Sequence, residues 1–346
     1  CMSRDGAALA DGLVDAALTV LRQAAGSQAL ALLVDPTLCD PFSRVEDERG
    51  GPGGLPAPFS ELPKHLSAVE GLVHMEPLRL EHQDFDQRRW PYLIVLPSEP
   101  ACEGLLNASV RAALAETQGQ VAEHYRGRAL CGWQVLEPSD EPLGVRARHC
   151  ARAWVRAAKL RRPNGEAGYL RVWDPRVAAH LPRVLNADHA RALQPAAHGW
   201  YWLDIEGRIR LDGLGELSTG PEPAPSAVPA VTLTEWDALR RIASINTLQG
   251  VAQTLGVPLP ERSWAELDRA LLRCHRLGFE TDQDALVFGT AWLTVHPAFD
   301  SHPEVADALR KARSTGQGAA AGLAAFDDAA WARIGQTLNS TRLVPA

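Results

Sequence analysis

The sequence predicts an α/β domain, a mixed sheet with flanking helices, followed by an all-helical lobe. Three observations lead there. Short apolar runs bounded by Pro, Gly and Asp alternate with amphipathic stretches through roughly the first 200 of the 346 residues. A Pro-rich stretch, LSTGPEPAPSAVPA at 217–230, has little to bury and reads as a semi-rigid linker. Beyond it every segment is helical in pattern. The expected organisation is therefore a sheet domain at 1–216, a linker at 217–230 and a helical bundle at 231–346.

The elements follow in order. An amphipathic helix at 8–25 is interrupted on its polar face by Asp11, Asp15 and Arg22. ALALLVD (29–35) is a buried strand. Residues 41–59 form a long loop rich in Gly, Pro and charge, a length usually tied to function or disorder. A short strand is expected at 71–75, and a stronger one at 91–97, PYLIVLP, with prolines at both ends. A helix at 102–124, a strand at 129–138 and a helix at 143–160 come next. In the last, Val145, Cys150, Trp154 and Ala158 lie near one stripe, and the basic run 159–162 suits a helix C-terminal turn.

GYLRVWDPRVAAHLPRVL (168–185) carries the strongest local grammar. Tyr169, Arg171 and Trp173 alternate with Leu170 and Val172, which predicts a strand over 168–174. Asp174 suits an N-cap and Pro175 position N1, while Pro182 limits the helix to about two turns. Asn186 opens another short helix through Leu193. Arg176 is anomalous, because a cation in the first helical turn opposes the helix dipole. It calls for a carboxylate elsewhere in the fold or on a partner, and Arg171 is placed to lie across an aromatic ring. Both arginines are expected to pin the strand–helix corner internally. WYWLDI and RIRLDG then flank Glu206-Gly207, a hairpin turn. In the lobe, Thr232 with Glu235 and Ser263 with Glu266 are capping-box patterns. Trp236, Leu239 and Ile242 form one apolar stripe, and Leu267, Leu271 and Cys274 another. Gly278 suits a helix stop, Thr281 with Asp284 opens a third helix, Pro303 starts a fourth, and 326–338 forms a fifth.

Bulk properties narrow the function classes. Hydrophobic residues make up 46% and charged residues 22%, a globular composition. A formal net charge of −7 without a strongly basic run argues against a nucleic-acid footprint. No run approaches a membrane span, and the polar start predicts no signal peptide. Cys39, Cys102, Cys131, Cys150 and Cys274 form no C-x-x-C pair, so reduced thiols in the cytoplasm are expected, with the last three in core positions.

Catalytic signatures are sparse. The chain lacks G-x-S-x-G, Walker A, G-x-G-x-x-G and H-E-x-x-H patterns, and GGPGG at 50–54 has no following Lys-Ser/Thr. His296 with His302 and Asp84 and Asp86 with His82 lack a ligand spacing strong enough to predict a metal. Cys131 paired with a distant His stays open as a nucleophile, though any chain of this size offers such pairs. No catalytic residue, cofactor or metal is expected. Of the ten tryptophans, Trp133, Trp154, Trp173 and Trp236 are expected in cores. Trp200 and Trp202 share a strand face, which suits either core or a docking ridge, since Trp is enriched at binding hot spots.

The order of these elements resembles the conserved domain of type VI secretion adaptor proteins, also called effector chaperones. The stretches that carry the likeness are ALALLVDP, WPYLIVLP, the Gly132-Trp133 pair and, above all, YLRVWDPRVAAHLPRVL. Its motif positions here are Arg171, Trp173, Asp174, Pro175, Arg176, Val177, Leu181 and Pro182, followed by the aromatic strand GWYWLDIEG. The resemblance spans roughly residues 30–211, and the helical lobe is similar, more loosely, to the accessory region of such adaptors. It implies a non-enzymatic cytoplasmic protein that binds a toxic effector and helps load it onto the spike protein of the type VI apparatus. Contact residues do not follow from it. Two other classes stay open: a hydrolase-like enzyme assembled from distant residues, and a structural component of a secretion or phage-like assembly.

Overall fold

The computed structural model describes residues 4–37, 40–42, 59–81, 86–118, 128–193, 199–204, 206–211, 228–259 and 263–341. The expected 41–59 loop and 217–230 linker lie almost wholly outside them, as do His82, Asp84 and Cys39. The chain divides into two compact units, Cys1–Trp236 and Asp237–Ala346.

In the first unit β1 (Leu30–Val34) is the spine of the sheet, and all five of its residues are buried. It pairs antiparallel with β3 (Tyr92–Leu96) on one side and β4 (Leu130–Val135) on the other. β2 (His74–Pro77) extends the β3 edge, and β7 (Trp200–Leu203) with β8 (Ile209–Leu211) extends the β4 edge. The order is β2-β3-β1-β4-β7-β8, with antiparallel ladders throughout. A strand buried on both faces reads as a continuous apolar run, which is why ALALLV shows no alternation. The turn between β7 and β8 is closed by Asp204, whose carboxylate accepts from the backbone N–H of Glu206 and Arg208. Gly207 takes a φ of +76° there.

Helices cover both faces. α1 (Arg4–Ala25), α2 (Leu62–Ala68) and α3 (Glu103–Thr117) pack on one, around Leu30, Leu32, Val34, Ile94 and Trp133. α4 (Leu143–Ala158) packs on the other, across β2 and β3. Side chains alternate between faces along a strand. Trp133 therefore reaches α3, donating Nε1–H to Ser109 Oγ at 3.0 Å, while its neighbour Gln134 accepts from Trp154 of α4 at 2.6 Å.

β1 and β4 slip register between Leu33↔Gly132 and Val34↔Leu130, a β-bulge that leaves Cys131 without a ladder partner. Gly132 follows it at φ +132°, and a Cβ there would stand 2.3 Å from the carbonyl oxygen of Tyr201. The Gly132-Trp133 pair thus combines a backbone only glycine adopts with the largest side chain of the α3 face.

Two segments differ from the sequence expectation. The basic run after α4 is a strand, β5 (Lys159–Arg161), which pairs with β6 (Ala167–Tyr169). The alternating stretch 168–174 is a strand only to Tyr169. Val172 N–H then bonds Leu170 O at 2.8 Å and Asp174 N–H bonds Arg171 O at 3.0 Å, so the chain turns. The alternation has the period of a pleat, but these side chains are placed by a distant carboxylate, that of Asp35. Short helices α5 (Pro175–Ala178), α6 (Leu181–Val184) and α7 (Ala187–Ala192) follow, the first and last capped by Asp174 and Asn186 as the sequence predicts.

The helical unit begins within α8 (Leu233–Leu255) and continues through α9 (Ser263–Arg276), α10 (Asp282–Thr294), α11 (Pro303–Ser314), α12 (Ala319–Leu323) and α13 (Asp328–Thr341). Its core includes Ile245, Leu248, Leu267, Leu271, Phe288, Phe299, Leu309 and Ile334. Thr281 and Asp284 form the expected reciprocal cap. Thr281 Oγ accepts the Asp284 N–H that starts α10, while the buried Asp284 carboxylate accepts the Thr281 hydroxyl and, at 2.6 Å, the N–H of Ala319 at the start of α12. Among the described residues no helix is long and apolar enough to cross a membrane.

Candidate functional site

Four of the sequence-predicted motif residues, Arg171, Trp173, Asp174 and Arg176, meet around the C-terminal end of β1. Asp35 follows that strand and is buried; its N–H bonds Ala129 O at 2.8 Å, beside the start of β4. Its carboxylate accepts from Thr37 N–H at 2.9 Å and from the Thr37 hydroxyl. Oδ2 then accepts the indole N–H of Trp173 at 2.6 Å and lies 2.8 Å from Arg171 Nη2. Of the two contacts the sequence leaves to Arg171, an ion pair or stacking on a ring, the structure shows the ion pair, a charge-assisted bond to a buried acceptor.

Asp174 is the second acid. Oδ1 accepts the backbone N–H of Arg176 at 3.0 Å, which caps α5, and also Arg176 Nε at 3.0 Å; Oδ2 accepts Nη2 at 2.7 Å. The carboxylate that caps the helix therefore also holds the anomalous cation two residues on. Arg171 lies 3.9 Å away from the same Oδ2. Burial pushes the Asp174 carboxyl up, but the charge and hydrogen bonds of Arg176 and the charge of Arg171 overcome it, and its pKa falls to about 2. Pro175 is buried at N1.

Glu116 at the end of α3 and Arg128 before β4 complete the network. Glu116 accepts the N–H groups of Ala129 and Leu130 at 2.8 and 3.0 Å. The Arg128 guanidinium donates to Ala113 O at 3.4 Å and to the Thr117 hydroxyl. Burial pushes Glu116 up to about 7, against the pull of Arg128, the two backbone N–H groups and Arg176. Burial likewise lowers Arg128, opposed by Glu116. Asp35, Asp174 and Glu116 thus gather with Arg171, Arg176 and Arg128, three acidic and three basic side chains. Desolvation offsets much of what such a network gains, so removing one member, which leaves its partners buried and unpaired, costs more than the network's net contribution.

Cys131, on the bulge, donates its thiol to Arg128 O at 3.4 Å. Burial pushes that thiol well above its ordinary range, and Asp35 and Asp174 push it further. A thiol so held stays protonated, the opposite of an activated nucleophile.

Trp200 and Trp202 lie on the α4 face of β7. Trp200 is buried, edge-on to Trp154 at 5.0 Å between centroids, and Trp202 is half-buried, 6.5 Å from Trp200. Trp133, Trp154 and Trp173 are fully buried, as expected. Trp236 is not: it is half-buried, with the Arg162 guanidinium 5.4 Å over its ring. Asp86 caps a single 3-10 turn by accepting from Arg88 N–H at 3.0 Å. His296 is buried, its Nδ1 accepting from Ala298 N–H at 3.0 Å. Among the described residues no group of three His, Cys, Asp or Glu is placed to hold a metal.

Sequence reasoning missed Asp35, Glu116 and Arg128 as members of the cluster. Asp35 stood at the end of a quoted run, yet a lone acid after a buried strand reads as a turn residue. Glu116 and Arg128 carried no signal. A second node escaped it in part. Glu235 does form the expected capping box with Thr232. It also accepts the N–H and side-chain amide of Asn186, both at 2.9 Å, and lies 3.0 Å from His189 Nδ1, which ties α7 to the start of α8. Burial works against its ionised form, but these donors hold its pKa down at about 2.

No protein-family model, curated protein or solved structure matches the chain.

Proposed function

We propose that this protein is a non-enzymatic cytoplasmic adaptor that binds a type VI secretion effector and helps load it onto the spike protein. The observation that carries the reading is the meeting of distant stretches of the resemblance at one place. ALALLVDP supplies β1 and Asp35, and the YLRVWDPRV corner docks on Asp35 through Trp173 and Arg171. WPYLIVLP supplies β3 on one side of β1, and Gly132-Trp133 lies in β4 on the other. The motif therefore describes one packed unit, as a fold signature should. Cys131 is held as a thiol by burial, which removes it as a candidate nucleophile.

The test is affinity purification of the tagged protein from its native cells at moderate salt, with mass spectrometry. Recovery of a toxin-like protein together with a spike protein is the expected result. Recovery of neither across several growth conditions sinks the reading and returns weight to an enzyme. Co-purification at fixed stoichiometry with a whole secretion or phage-like assembly points to a structural component instead.

A further inference from the structure

The solvent face of α4 carries Arg148, Arg152 and Arg156, all exposed. Their spacing of four residues sets them in one row about 12 Å long, at 1.5 Å rise per residue. The opposite face of the helix, with Ala147, Cys150, Ala151 and Trp154, is buried. The row is therefore fixed in place by a rigid element.

Several other exposed arginines meet acids: Arg22 with Glu103 at 2.7 Å, Arg111 with Asp11 at 2.7 Å, Arg210 with Asp204 at 2.6 Å. The α4 row does not. Arg148 donates only to Gly144 O of its own helix, at 3.1 Å, and among the described residues no carboxylate lies within ion-pair distance of the three. The acid nearest in sequence, Glu141, faces His149 at 3.3 Å instead. Other exposed arginines, such as Arg88, Arg89 and Arg208, also stand without an acid, but they do not form a helical row. Like charges four residues apart repel and weaken a helix. The row concentrates three positive charges on one helix face of a chain whose net charge is −7.

We infer that the Arg148–Arg152–Arg156 row of α4 is a docking ridge for an acidic helical segment of a partner protein. Carboxylates at intervals of four residues on such a segment match the row, and each guanidinium can take a carboxylate with two parallel hydrogen bonds. The ridge is one side chain wide and the rest of the chain is net acidic, which favours a short segment over a nucleic-acid duplex that carries one charge per about 1.7 Å. This inference goes beyond the adaptor reading, because it names the partner's chemistry and not its role.

The experiment is fluorescence anisotropy on the full chain. The probe is a labelled helical peptide of about 20 residues with Glu at every fourth position, long enough to hold its helix. The same peptide with Gln at those positions and a DNA duplex of similar length are the comparisons. The Glu peptide is expected to bind, weakening as salt rises, and the Gln peptide not to bind. Arg148→Gln/Arg152→Gln/Arg156→Gln should lose about tenfold in affinity, the scale of three exposed ion pairs. The Lys triple at the same positions keeps the charge but not the paired donors, so its affinity should fall between those of the parent and the Gln triple. Arg88→Gln/Arg89→Gln/Arg208→Gln, with the same change in net charge, should bind like the parent. Far-UV circular dichroism confirms that each variant is folded. Equal binding of the Gln peptide, an unchanged affinity for the ridge triple, or an equal loss in the Arg88/Arg89/Arg208 triple overturns the inference. Tighter binding of the duplex through the same three arginines also overturns it, in favour of a nucleic-acid surface. The peptide contains no effector or spike sequence, so a failure here is distinguishable from failure of the adaptor reading.

Discussion

Trp173 donates its indole N–H to Asp35 at 2.6 Å, across 138 positions of sequence. That bond and the Arg171 pair on the same oxygen tie the 170–176 corner to the end of the central strand. Asp35→Ala removes the acceptor while Trp173 stays buried and Arg171 keeps two thirds of its side chain covered. The expected loss is about 3 kcal/mol, the scale of a broken buried pair with partial rehydration of the arginine. Urea unfolding followed by tryptophan fluorescence measures it. A loss below about 1 kcal/mol would mean the corner does not depend on Asp35.

Arg176→Ala should destabilise the first unit by about 1–3 kcal/mol, the scale of a charge-assisted hydrogen bond. The acid side of the stability profile should change with it. The Asp174 pKa is depressed from 3.8 to about 2 in the folded protein. A depressed carboxyl contributes stability that is present above about pH 4 and lost as pH falls through 2. The contribution is about 2 kcal/mol, at 1.36 kcal/mol per pH unit. Unfolding between pH 5 and 2 should show this loss in the parent and much less of it in Arg176→Ala. Unchanged stability together with lost partner binding would instead make Arg176 an interface residue.

Glu116 has the opposite sign. Its folded pKa lies near 7 against an ordinary 4.5. A raised carboxyl favours the folded state most when protonated, so its contribution is complete below about pH 4.5 and is lost as pH rises toward 7. At the same 1.36 kcal/mol per unit the loss approaches about 3 kcal/mol. Glu116→Gln should flatten the stability profile between pH 5 and 7; a slope identical to the parent's would assign that pH dependence to other groups.

Gly132→Ala places a Cβ against the carbonyl of Tyr201 at a backbone angle that L-residues rarely adopt. Both neighbours are strands of the central sheet, so neither yields cheaply. The expected cost is at least about 3 kcal/mol, visible as a large drop in midpoint temperature or loss of soluble protein. A drop of only a few degrees would show that the bulge can rearrange.

Arg152→Glu creates opposite-charge neighbours at both Arg148 and Arg156. It should stabilise α4 by about 0.5–1 kcal/mol, two favourable i,i+4 pairs replacing two unfavourable ones. Thermal unfolding at low salt reads this, and the gain should shrink as salt rises. A destabilised variant would show that Arg152 has a structural partner.

The sequence by itself determined the elements whose causes are local. ALALLV is apolar on every position and makes the buried central strand. Asp174-Pro175, Asn186, Thr281 with Asp284 and Thr232 with Glu235 are helix starts because caps act within four residues. The order of a sheet region followed by an all-helical region follows from the change in hydrophobic period. Tertiary structure decided what depends on distance. Arg171 and Trp173 share a side, as their alternation suggested, but a turn and not a strand puts them there, because Asp35 is their common acceptor. Lys159–Arg161 has the composition of a helix end and is a strand, because Ala167–Tyr169 is there to pair with it. The six-charge cluster joins residues from α3, the end of β1, the approach to β4 and the start of α5. No pattern in the sequence links them, since burial lets each charge choose its partner in space and leaves no periodicity behind.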